Sequence, residues 1–180
     1  MKKLSLLLTV LLLLNIATIA QAQTTTDNES SYKDWIAENP NADADIKVVR
    51  AFLIAIADGD LGIVSNLLAD EYKGNGPSPA DSTTKEKTIN TWKENYNTQK
   101  NRKIGFVNTT FRVLRGNLNG DYVSVWGNYS CAINEKNISF PFQFTAKVAN
   151  GKIECSAIYY DNLYIRQALG YTLTPPKKEN

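Results

Sequence analysis

The sequence predicts an α+β domain, three N-terminal helices packed on a curled antiparallel sheet. Three observations predict it. Apolar residues between 43 and 99 recur at steps of three and four, the helical period. From residue 106 onward, runs rich in β-branched and aromatic side chains are separated by Asn-Gly and Asn-rich turns, the pattern of a meander. The helices finish before the strands begin, an order that sets one helical layer against one sheet.

The chain opens with Lys2 and Lys3, an apolar stretch from Leu4 to Ile19, and the small-x-small pattern Ala20-Gln21-Ala22. This reads as a signal peptide, residues 1–22, cleaved after Ala22, and predicts a secreted or periplasmic protein. The stretch is too short for a membrane anchor and no Lys/Arg cluster follows it, so no membrane association is expected after cleavage. Residues 23–42 open on Thr, Asn, Asp, Glu and Ser and are expected to be a flexible leader. Within it, a helical turn at Tyr32, Trp35 and Ile36 ends at Asn39-Pro40.

The first helix carries Ile46, Val49, Phe52, Leu53 and Ile56 on one face, with Asp43 or Asp45 as N-cap and Gly59 as its stop. Asp60 caps a second helix whose face of Leu61, Val64, Leu67 and Leu68 ends near Tyr72. Glycines and prolines make residues 73–82 a loop. Thr83-x-x-Glu86 has capping-box spacing and opens a third helix, which presents Ile89, Trp92, Tyr96 and Gln99.

Strands are read at 106–114, 122–133, 138–148 and 153–161, giving a domain of residues 43–171 and a frayed tail at 172–180. A two-residue loop at Asn150-Gly151 pairs Cys155 with Ala146, Tyr159 with Phe142 and Asp161 with Phe140, all on the apolar face. A four-residue loop at 134–137 extends that face to Cys131, Tyr129 and Val125, and leaves Ser124, Trp126, Gln143 and Ser156 on the polar one. Cys131 and Cys155 then share a face but stand roughly 20 Å apart along strands that rise ~3.3 Å per residue. That is too far for a disulfide, and both are predicted free.

Removing residues 1–22 takes two lysines from the 20 Lys and Arg, leaving 18 against 18 Asp and Glu. A neutral chain with interspersed charges offers no footprint for phosphate backbones, and nucleic acid is not expected as a partner. There is no histidine. That removes the usual zinc ligand and every Ser-His or Cys-His mechanism, and no metal or cofactor is expected.

Residues 49–72, VRAFLIAIADGDLGIVSNLLADEY, and residues 151–170, GKIECSAIYYDNLYIRQALG, carry a resemblance. They are similar to the helix, Gly-Asp break and second helix, and to the last strand with its terminal Asp, of the SnoaL-like and ketosteroid-isomerase-like branch of the nuclear-transport-factor-2-like superfamily. The resemblance spans residues 43 to 171 and implies a cone with a pocket at its open end. Members include isomerases, cyclases, dehydratases, small-ligand binders and docking domains, so the resemblance alone does not choose a function. It implies that Asp161 takes the place of an acid–base aspartate, and that Asn75 stands where histidine often stands.

Read from the residues, Asp161 is either a desolvated general base or the cap of the turn that follows it. Tyr72, Trp92, Tyr96, Tyr129, Phe142 and Tyr159, with Asn75 added by resemblance, form either an aromatic ligand site or ordinary core. Trp126, Gln143 and Tyr160 fit a homodimer interface on the outer sheet face. Three functions remain open: a binder of a small, largely apolar ligand, an isomerase-, cyclase- or dehydratase-type enzyme using Asp161, and a docking module whose cavity is filled. One carboxylate without histidine or a second acid is thin machinery, which ranks the binder first.

Overall fold

The computed structural model describes residues 31–78 and 80–174. The expected signal peptide, the leader up to residue 30 and the last six residues of the tail lie outside the described residues. The chain divides into two compact units, residues 1–34 and 35–180. A single turn, α1 (Tyr32–Trp35), lies at the division, and the sheet belongs wholly to the second unit. Among the described residues, no helix is long and apolar enough to cross a membrane.

Helix α2 (Ala42–Asp58) buries Val49, Phe52, Leu53 and Ile56, as its period predicts. It stops at Gly59, whose φ of 90° lies in the left-handed region that glycine enters without a Cβ clash. Its N-cap is Asn41, not Asp43 or Asp45. Asp60 Oδ1 accepts from Ile63 N at 2.9 Å and opens α3 (Leu61–Leu67). This helix ends before Leu68 rather than near Tyr72. Residues expected as helix end and loop instead form a hairpin of β2 (Leu68–Asn75) and β3 (Ser82–Thr84). Helix α4 (Lys85–Thr98) is capped by Thr84, whose Oγ1 accepts from Lys87 N, one residue past the expected Thr83. The helices are therefore not an unbroken N-terminal block.

The meander follows as expected, with β4 (Gln99–Val113), β5 (Gly120–Ile133), β6 (Lys136–Ala149) and β7 (Lys152–Tyr160) all antiparallel. Three further strands extend it to a curled, open seven-stranded sheet in the order β1-β4-β5-β6-β7-β2-β3. Strand β1 (Ile36–Ala37) pairs with β4, so the segment expected as leader joins the sheet from Ile36. Strand β2 runs parallel to β7. A closing helix, α5 (Asn162–Leu169), comes directly after β7.

Register decides which side chains face inward. Asn134 and Glu135 both have positive φ, making a two-residue turn in which Ile133 pairs with Lys136. The expected loop was four residues, but both lengths are even, and Val123, Val125, Tyr129 and Cys131 face the core as predicted. Strand β7 departs from expectation. After the Asn150-Gly151 turn, Val148 pairs with Ile153 and Lys147 with Cys155, which leaves Glu154 as a bulge. Everything beyond Glu154 changes face: Ser156, Ile158 and Tyr160 sit opposite Ala146, Phe144 and Phe142, while Cys155 and Tyr159 turn outward. Cys131 and Cys155 thus lie on opposite faces rather than one, and both are free.

Where α2 begins, the core meets a buried polar network. Asn39 Nδ2 donates to Asp45 Oδ2 and to Thr110 Oγ1, each at 2.8 Å. Arg112 Nε and Nη2 donate to the two oxygens of Asp121 at 2.5 and 2.6 Å, and Asn41 Nδ2 donates to the same carboxylate. The Arg112 hydrogen bonds hold the Asp121 carboxyl below its ordinary range, whereas burial and then the Asp121 charge push Asp45 above it. A depressed folded pKa means that Asp121 contributes stability above the unfolded value of about 3.9 and loses it as pH falls through the folded value. Asp45 has the opposite sign, costing stability when ionised and relieved by acid. Asp121→Asn should lower the urea midpoint at neutral pH, and its deficit against the wild type should close as the pH falls below about 4. A deficit that stays constant over that range would refute this account of Asp121.

Candidate functional site

A cavity of about 490 Å³ lies between the inner sheet face, α2 and α4, with Asn162 and Ile165 of α5 also in its lining. Phe52, Leu53 and Ile56 of α2 form one wall because the helical period stacks them on a single face. The facing wall is aromatic: Trp92 meets Tyr129 edge-on with ring centroids 6.2 Å apart, Tyr129 and Phe140 are 5.7 Å apart, and Phe140 and Tyr160 are 5.7 Å apart. Phe52 stacks on Phe144 across the layers at 5.8 Å. Tyr129 Oη donates to Gln99 Oε1 at 2.8 Å, which satisfies that phenol at the cavity wall.

One polar pair is set into this apolar lining. Tyr72 on β2 and Ser156 on β7, 4% and 7% exposed, hold their hydroxyls 2.7 Å apart. The sheet places them so because β2 is parallel to β7 with Gly74 opposite Ser156. Gly74 is needed for space: a Cβ there would stand 2.5 Å from Tyr72 Oη and 2.7 Å from Thr83 Cγ2. Thr88, also in the lining, holds its hydroxyl 3.0 Å from that of Thr83.

The charged lining residues among those described are Asp81 and Lys87, both exposed. Asp81 Oδ2 accepts from Ser78 N, and Lys87 Nζ donates to Ser82 O. Burial pushes the phenols of Tyr72 and Tyr129 and the Cys131 thiol up, and burial together with the Asp81 charge does the same to Tyr160. Each of these shifts keeps the group neutral. Among the described residues, no group of three or more His, Cys, Asp or Glu could hold a metal ion.

Of the residues expected at the site, Tyr72, Asn75, Trp92, Tyr129 and Phe142 do line the cavity. Tyr96 does not: Arg102 stacks on its ring at 4.5 Å, and its Oη is buried without a partner among the described residues. Tyr159 is 55% exposed on the outer face, carried there by the Glu154 bulge. Asp161 is corrected as well. It is the exposed N-cap of α5, with Oδ1 accepting from Tyr164 N at 2.8 Å, and it lines no part of the cavity. Tyr160, expected outside, lines the cavity, while Trp126 and Gln143 lie on the outer face as expected. Sequence reasoning missed Ser156, Ile158, Thr88 and Gly74. A strand at 68–75 was the available signal, since Leu68, Tyr72 and Gly74 are its buried positions.

No protein-family model matches the chain, and no curated protein matches it. Solved structures do. A candidate polyketide cyclase from Xanthomonas campestris superposes with a TM-score of 0.58 at 14% identity, over 71% of this chain and 98% of its own. A protein of ketosteroid isomerase-like fold from Catenulispora acidiphila, solved with trimethylamine, gives 0.57 at 16% identity, over 71% and 97%. An LEH-like epoxide hydrolase from M. tuberculosis gives 0.53 at 19% identity, over 72% and 92%. At these identities the likeness is one of fold: the chain has the ketosteroid isomerase-like, nuclear-transport-factor-2-like fold.

Proposed function

We propose that this chain is an exported protein that binds a small, largely apolar ligand in its cavity. The observation that carries the reading is a 490 Å³ hollow with apolar and aromatic walls and a buried pair of hydroxyls, its charged lining residues among those described being the exposed Asp81 and Lys87. Small-molecule sites run from roughly 300 to 1,000 Å³ and have this composition. The solved relatives, described as a candidate polyketide cyclase, an epoxide hydrolase and a complex with trimethylamine, are compatible with a small-molecule pocket. With Asp161 capping α5, the charged lining residues among those described are Asp81 and Lys87, both exposed and each hydrogen-bonded to backbone, which favours binding over proton-transfer catalysis. The hollow itself argues against a docking module packed solid with its own aromatics.

Apolar aromatic probes such as ethylnaphthalene should raise the melting temperature, since a ligand at a hundredfold excess over its Kd stabilises by about 2.7 kcal/mol. The rise should be the same at about pH 6 and about pH 8, because burial pushes the interior phenols and the Cys131 thiol above their ordinary values and so favours their neutral forms over that range. No rise with any of a broad set of such probes would end the binder reading.

Export rests on Lys2, Lys3, the apolar stretch and Ala20-Gln21-Ala22. Protein recovered from the medium or periplasm of an expressing bacterium should begin at Gln23 by mass spectrometry. Cytosolic material that keeps Met1 or the stretch after it would count against export.

We also infer a homodimer through the outer sheet face. The ladder aligns Val107, Trp126, Gln143 and Tyr159 in one row across four strands, and Val107, Trp126 and Tyr159 are 68%, 47% and 55% exposed. None of the four is charged, so two copies of the row meet without like-charge repulsion. Light scattering should give a dimer mass for the wild type and a monomer mass for Trp126→Glu. A monomeric wild type at high concentration would dispose of the interface.

A further inference from the structure

One wall of the proposed ligand site is a single helix thick. In α5 the helical period sets Asn162 and Ile165 on the side that lines the cavity and turns Leu163 and Tyr164, both exposed, toward solvent. None of its residues is buried, whereas α2 on the facing side buries Val49, Phe52, Leu53 and Ile56. The course of α5 is set by its two ends. It begins after Tyr160, which pairs with Phe142 on β6, and it finishes at Leu169, whose carbonyl accepts from Nζ of Lys136, the first residue of β6, at 2.9 Å. The helix therefore lies along the part of β6 that carries Ile138 and Phe140, both of which line the cavity.

This wall is fastened lightly. Tyr164 N donates to Asp161 Oδ1, Gly170 N to Gln167 O and Tyr171 N to Arg166 O, all within α5 and its two ends. Among the described residues, the bond from Lys136 to Leu169 O is the one hydrogen bond that joins α5 to another element. It places a cation at the carbonyl end of the helix, where the dipole is negative. Eight residues are too few for a helix to persist alone in water, where about 12–15 are needed, so α5 keeps its shape by resting on β6. Strand β7 ends at Tyr160, before the helix begins, so α5 can leave without opening any ladder of the sheet.

We propose that α5 is a lid on the cavity, hinged at Asp161 and latched by Lys136, and that the ligand enters and leaves when this helix lifts from β6. The inference rests on the cavity being a ligand site and adds how that site is reached. Lys136 lines no part of the cavity, so loosening the latch changes access and leaves the ligand's contacts alone. Entry and exit pass through the same lifted state, so both quicken by one factor and Kd stays where it was.

The test uses the full chain and ethylnaphthalene, with binding and release followed by stopped-flow fluorescence. Lys136→Met keeps an apolar stem and removes the donor. Its association and dissociation rate constants should both rise about fivefold, the scale of one hydrogen bond, with Kd within about twofold of the wild type. Amide hydrogen exchange reads the lid without a ligand. In the wild type, the amides of residues 165–169 should exchange well before those of β6, and Lys136→Met should speed the first group by a similar factor and leave β6 as it was. If ethylnaphthalene binds and the variant's rates do not change, the ligand takes another path, and the lid is wrong while the cavity reading survives. Faster dissociation alone, with a weaker Kd, would make Lys136 a support of the cavity wall and also overturns the proposal. If ethylnaphthalene does not bind, the cavity reading falls and the lid falls with it. Wild-type α5 amides that exchange no faster than those of β6 overturn the lid even if Lys136→Met does not fold.

Discussion

A strand that carries one extra residue opposite its neighbour must turn everything beyond that residue to the other face, and in this sheet Glu154 is that residue. The bulge stands at the very start of β7, next to the Asn150-Gly151 turn, so it acts on nearly the whole strand. It sends Cys155 and Tyr159 outward and brings Ser156, Ile158 and Tyr160 against the helices. Lys147 and Glu154 form an ion pair at 3.1 Å at this place. The chemistry of the cavity wall is thus set about two residues from a hairpin tip, by backbone geometry rather than by the wall residues themselves.

The sheet divides its polar and apolar burial between different places, and the reason is electrostatic. A buried carboxylate is tolerable only where hydrogen-bond donors reach it. Near the start of α2, Asn39, Asn41 and Arg112 supply those donors to Asp45 and Asp121. In the cavity, Tyr129 donates to the Gln99 amide oxygen, the Tyr72 and Ser156 hydroxyls meet each other, and burial pushes the Cys131 thiol up, toward its protonated form. Low dielectric surroundings strengthen the Tyr72–Ser156 hydrogen bond and penalise an unpaired charge.

Much of this was legible in the sequence, and what was not has identifiable causes. The α2 face, the Gly59 stop, the Asp60 cap and the four meander strands follow from period, glycine chemistry and turn residues, which are local signals. The faces of β5 and β6 were legible despite a misjudged loop, because a side-chain period of two makes only the parity of the loop matter. Strand β2 was hidden because Leu67 and Leu68 continue a helical spacing and the glycines after Tyr72 read as loop. It becomes a strand through parallel pairing with β7, a contact some eighty positions away that no local window contains. In β7 the run Cys-Ser-Ala-Ile-Tyr-Tyr has no clean alternation of apolar and polar residues. Either face could have been the inner one, and the composition gave no penalty for the wrong choice.

The two errors at the site are therefore one error. An Asp161 facing inward and a Ser156 facing inward are mutually exclusive on a regular β7, since the two positions differ by an odd number of residues. With no bulge the wall would have ended in a carboxylate beside Phe140 and Tyr129, its pKa raised by desolvation, and the serine would have lain outside among Ser124 and Thr145. With the bulge, Asp161 leaves the strand on the solvent side, where the first turn of α5 presents the Tyr164 N–H for it to cap. The carboxylate gains donors and loses the apolar surroundings that would have made it basic. A likeness of fold cannot register this exchange, because the fold alone does not fix which side chain a strand turns inward.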